Sequence, residues 1–86
     1  MHKDVVQEKI AQVMAGIFEL EPKSISQETN TKNIDNWDSL NQIKLIVALE
    51  DEFDIEFEPE EIAEMTSFLI IETIVKSKIG YTKTKG

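Results

Sequence analysis

Asn36-Trp37-Asp38-Ser39-Leu40-Asn41-Gln42-Ile43-Lys44-Leu45-Ile46-Val47-Ala48-Leu49-Glu50-Asp51-Glu52-Phe53 is the stretch from which the rest of the chain can be read. Leu45, Ile46, Leu49 and Phe53 fall together on one side of a helical wheel, so the spacing predicts a helix from Ser39 to about Phe53 with those residues in the core. Ile43 and Val47 lie at the edge of that stripe, leaving an apolar shoulder beside Asn41, Lys44, Ala48 and Asp51. The start has two candidate caps. Ser39-Leu40-Asn41-Gln42 reads as a capping box in which Gln42 reaches back to the serine N–H, and Asp38 is an equally good cap at the positive end of the helix dipole.

Outward toward the N-terminus, residues 23–37 are rich in Ser, Thr, Asn, Gln and Lys, with Ile25 and Ile34 as the aliphatic exceptions. So long a connection suits a bundle whose neighbouring helices cannot be joined by a tight turn, and the two isoleucines are expected to pin it to the core. Before it, Val6, Ile10, Val13, Ile17 and Leu20 recur at steps of three or four, with Met14 and Phe18 widening the stripe. They predict an amphipathic helix over roughly residues 3–19, ending near Glu21-Pro22, because proline disfavours helical geometry in the residue before it.

Outward toward the C-terminus, Asp54-Ile55-Glu56-Phe57-Glu58 alternates like a strand but has no strand to pair with, so an extended linker is expected. Pro59 fits the first position of a short helix reaching Met65. Thr66 or Ser67 then caps a last helix that buries Phe68, Ile71, Val75 and Ile74 and stops near Ile79-Gly80. The resulting fold class is all-α: a four-helix bundle, three main helices plus one short one, with a long first loop. Residues 1–80 form the domain and residues 81–86 a flexible tail.

Charge and composition exclude several functions. Seventeen acidic residues stand against nine lysines and no arginine. Twelve of the acids lie in residues 35–75, where Lys44 is the only base. Such a field repels nucleic acid and anionic lipid and attracts proteins with basic patches. There is no cysteine, and the one histidine is His2, so thiolate chemistry, disulfides and metal sites of usual spacing are not expected. Asp54, Glu56 and Glu58 superficially suit a calcium loop, but Pro59 and Glu60 stand where its glycine turn belongs. A cytoplasmic, monomeric, non-enzymatic protein without membrane insertion is the expectation, since no apolar run has membrane length.

Ser39 taken alone is a helix cap. With its surroundings, Asp38-Ser39-Leu40 followed by Ile43, Leu45, Ile46, Val47, Ala48, Leu49, Glu50, Asp51, Glu52, Phe53 and Asp54, the chain resembles the acyl carrier protein family, over roughly residues 4–79. The resemblance implies that a phosphopantetheinyl transferase attaches 4′-phosphopantetheine from coenzyme A to Ser39, within a motif shared by Asp38 and Leu40, and that acyl or aminoacyl cargo rides on the arm as a thioester. It implies a docking surface for acyl-loading and acyl-processing enzymes with basic patches at Ile43, Lys44, Val47, Glu50 and Asp51. Leu45, Ile46, Leu49, Phe57, Ile62 and Met65 would border a pocket for an apolar tail, although plain core packing reads equally well for Phe57, Ile62 and Met65. Asn41, Gln42 and Lys44 occupy a face that begins acidic in carriers of fatty acid synthesis, and Trp37 stands where a small residue is common. A dedicated polyketide, lipid, amino-acid-loading or specialised-metabolite pathway fits that departure. The alternative is an unmodified acidic helical adaptor or inhibitor that binds a basic protein.

Overall fold

A computed structural model of the chain describes residues 5–79. It contains α1 (Val5–Phe18), a single 3₁₀ turn (Pro22–Ser24), α2 (Ser39–Phe53), α3 (Pro59–Glu64) and α4 (Phe68–Ile79). No strand occurs among the described residues, where Asn30 and Ser67 form only an isolated bridge. The expected start of α1 at residue 3 and the tail at residues 81–86 lie outside the described residues.

The helices form where the periodicity places them because each has one apolar face to bury. Val6, Ile10, Met14, Ala15 and Phe18 from α1 meet Leu45, Ile46 and Leu49 from α2 and Phe68, Ile71 and Val75 from α4 in one core. Ile10, Met14, Leu45, Leu49, Ile71 and Val75 have no exposed surface. Truncating a residue of this kind to alanine costs about 2–5 kcal/mol. Phe53 and Ile74, expected in the core, are only partly buried at its margin.

α1 stops earlier than the proline alone requires. Glu19 takes a left-handed backbone with φ 59°, and the Leu20 N–H donates back to the Ala15 carbonyl at 2.9 Å. This closure satisfies a carbonyl the helix would leave open. Pro22 opens the 3₁₀ turn instead. α2 ends in the same way, with Asp54 left-handed at φ 57° and the Ile55 N–H on the Glu50 carbonyl at 3.1 Å.

The long loop is held as expected by Ile25 and Ile34, both buried, and also by Thr29. Thr29 accepts the Phe68 N–H at 2.8 Å on its backbone carbonyl, and the Thr31 N–H donates to the Thr66 carbonyl at 3.1 Å. These bonds fasten the middle of the loop to the junction between α3 and α4. Ser67, rather than Thr66, caps α4, accepting the Ile70 N–H on its hydroxyl at 3.2 Å.

One core feature has no signature in the hydropathy pattern. Glu72 on α4 is buried, and a buried carboxylate requires partners. It has them: Lys76 at 2.8 Å and the Gln7 amide at 2.7 Å, with the Gln27 amide further off at 3.5 Å. The carboxylate thereby links α1 and α4.

Candidate functional site

The site begins at the junction of loop and helix. Asp38 is the cap of α2, its backbone extended and its Oδ1 accepting the Asn41 N–H at 2.9 Å. The capping-box reading of Ser39 and Gln42 is therefore corrected: Ser39 is the first helical residue, and Gln42 does not reach back to it. The Ser39 side chain is exposed, and no hydrogen bond to its hydroxyl occurs among the described residues. A cap supplied by the preceding residue leaves this hydroxyl available. It stands at the N-terminus of a fifteen-residue helix, where unpaired N–H groups and the positive dipole end favour an attached anion.

Beside Ser39 lies an open cleft of about 510 Å³ lined by Thr31, Trp37, Asp38, Ser39, Gln42, Ile62, Ala63, Met65 and Thr66. Its wall is built by side chains from distant parts of the chain. The Trp37 ring packs against Phe18 with centroids 5.1 Å apart, and its indole N–H donates to Gln42 Oε1. Gln42 Nε2 donates to the carbonyls of Ile62 at 3.2 Å and Met65 at 3.3 Å. Asn41 Nδ2 donates to the Asn36 carbonyl at 2.8 Å, steadying the approach to the helix.

The pocket residues read from the sequence do not all meet here. Ile62 and Met65 line the cleft. Leu45, Ile46, Leu49 and Phe57 do not; they are packed in the core, and Phe57 carries the Lys78 ammonium over its ring at 6.0 Å. Leu40 does not pack inward at all, being 62% exposed.

Leu40 joins Ile43 (61%) and Val47 (58%) in an exposed apolar line along α2, spaced so that all three share one face. Lys44 lies exposed beside it, as does Asp51. Glu50 is different, because its Oε2 accepts the Phe57 N–H at 3.0 Å and so fastens the linker after α2. Glu52 pairs with Lys9 at 2.9 Å. On α3, Glu61 accepts the Glu58 N–H at 2.8 Å and pairs with Lys78 at 2.8 Å. The backbone hydrogen bond and then the lysine hold its carboxyl below the usual glutamate value. No cluster of His, Cys, Asp or Glu suited to a metal ion occurs among the described residues.

The family model for the phosphopantetheine attachment site matches residues 8–69, most of the chain. This chain belongs to the acyl carrier protein family. The carrier is similar to an acyl carrier protein of Thermosynechococcus vestitus, 27% identical over 80 residues that cover 93% of this chain and 99% of that one. Its fold is shared with the solution structure of a holo acyl carrier protein from Geobacter metallireducens, with a TM-score of 0.78 and 23% identity over 94% of this chain and 95% of that one. 4′-Phosphopantetheine is the prosthetic group of such a carrier, and the surroundings of Ser39 fit it: an exposed, unbonded hydroxyl, a helix N-terminus for the phosphate and a cleft alongside. Carriers of this family are not themselves catalysts. Among the described residues no helix is long and apolar enough to cross a membrane.

Sequence reasoning met Trp37 and Gln42 without seeing them as a pair. The usable signal was that a tryptophan N–H near a helix start requires an acceptor when it is shielded from water.

Proposed function

We propose that this carrier bears its phosphopantetheine as a phosphodiester on Ser39 Oγ and transports acyl or aminoacyl groups as thioesters on the arm's thiol. A transferase moves the phosphopantetheinyl group from coenzyme A: the serine oxygen bonds to the phosphorus that bears the pantetheine and loses its proton, the pyrophosphate P–O bond breaks, and adenosine 3′,5′-bisphosphate leaves. The single observation that carries this reading is that Asp38 caps α2 and leaves the adjacent Ser39 hydroxyl exposed and without a partner.

Leu40, Ile43 and Val47 supply the apolar contact for partner enzymes, with Asp51 facing a partner base and Lys44 facing a partner acid. Glu50 contributes less, since Phe57 already occupies its carboxylate. An exposed lysine in an otherwise acidic segment favours a dedicated cytoplasmic pathway, making a polyketide, lipid or specialised metabolite, whose enzymes match this mixed pattern.

Incubation with a broad-specificity phosphopantetheinyl transferase and coenzyme A is expected to raise the intact mass by one phosphopantetheine. Ser39→Ala is expected to abolish the gain while the melting temperature stays unchanged. A gain that survives Ser39→Ala relocates the arm, and a wild-type chain that takes no arm leaves only the acidic adaptor.

A further inference from the structure

Gln42 stands between Ser39 and the buried part of α2. Ser39, Gln42, Ile46 and Leu49 follow one another at steps of three or four and therefore share the face of α2 that begins at the arm. Ile46 is nearly buried and Leu49 fully so, and Met65 closes the same seam from the end of α3 with no exposed surface. Gln42 bridges the seam with three hydrogen bonds, two to the carbonyls of Ile62 and Met65 and one from the Trp37 indole. An alkyl chain passing this point must separate all of them and leave two carbonyls and an indole N–H facing hydrocarbon, which is unfavourable well beyond the loss of the bonds themselves.

We infer that Gln42 is a specificity-determining latch, anchored by Trp37, that closes the seam between α2 and α3, so that cargo stays in the open cleft beside Ser39 and the carrier is suited to short acyl groups. The inference rests on Ser39 as the attachment point. The cleft itself suits such cargo. Trp37, Ile62, Ala63 and Met65 give it mostly apolar walls, with Thr31 and Thr66 at its border, so a short acyl group finds contact there without entering the bundle.

The test uses the holo protein loaded from acetyl- or octanoyl-coenzyme A by the transferase, with intact mass confirming the arm and its cargo. Cleavage of each thioester by hydroxylamine is then timed against the corresponding free pantetheine thioester. Wild type is expected to leave both groups as reactive as the free compounds. Gln42→Ala, and the volume-conserving Gln42→Met, remove the latch and are expected to slow octanoyl cleavage about thirtyfold relative to acetyl cleavage in the same variant, the equivalent of two ordinary hydrogen bonds no longer opposing burial of the chain. Circular dichroism checks that each variant is folded. Octanoyl shielded in wild type, or exposed in both folded variants, overturns the latch while the Ser39 reading stands. A chain that takes no arm overturns both.

Discussion

The two ends of α2 solve the same problem in opposite ways. At the N-terminus the residue outside the helix, Asp38, supplies the cap, and the first residue inside it, Ser39, is left with a free hydroxyl. At the C-terminus the polar groups are consumed by structure: Glu50 takes the Phe57 N–H, its carbonyl takes the Ile55 N–H, and Glu52 reaches Lys9 on α1. A carboxylate in this chain is thus no guide to its role. Asp51, one residue after Glu50, is exposed and bonded to nothing among the described residues.

Glu50→Ala tests the structural end and carries the largest expected effect. A charge-assisted hydrogen bond to a half-shielded N–H is lost, and the melting temperature should fall by the equivalent of about 1.5–2 kcal/mol. Asp51→Ala should shift it by less than about 0.5 kcal/mol. Equal losses from the two variants, measured by thermal denaturation, would erase the distinction between them.

Asp38→Ala removes the cap at the chemical end and is expected to destabilise the fold by about 1 kcal/mol, or about 4–8 °C for a domain of this size. Ser39→Ala should leave the melting temperature in place. If the serine variant melts lower and the aspartate variant does not, the hydroxyl is the cap after all. Asp38→Asn should restore most of the stability, since asparagine caps nearly as well.

The smallest expected effect concerns pH and the short helix beside the cleft. Glu61 is held below its ordinary value in the folded chain, so its contribution is complete above the unfolded value of about 4.3 and is lost as pH falls through the lower, folded one. Acid titration of wild type against Glu61→Gln should show the two melting curves converging in that acidic range and separating above it. A constant gap at every pH would assign the loss to packing, not to ionisation.

Much of this was legible from the chain. The range of α2, the proline-led α3, a Ser67-or-Thr66 start to α4 and the anchoring by Ile25 and Ile34 all follow from apolar spacing and local caps, which act within a turn or two. The end of α1 was read to within a residue but assigned to Pro22, whereas Glu19 in a left-handed conformation closes the helix at Phe18. Gln42 was misread for a related reason. Its local option, the capping box, competes with acceptors twenty and more positions away at Ile62 and Met65.

Sequence by itself determined that this is an acidic, four-helix carrier with Ser39 at the start of its second helix, because periodicity and the Asp38-Ser39-Leu40 phrase are local properties. Only the tertiary structure decided which polar groups are left over. Asp38 caps α2 and leaves the serine hydroxyl unbonded, Gln42 joins Trp37 to the Ile62 and Met65 carbonyls, Glu50 and Glu72 serve the fold, and Leu40 faces water. Those outcomes depend on which backbone groups from other helices come within hydrogen-bond reach, and no spacing along the chain encodes that distance.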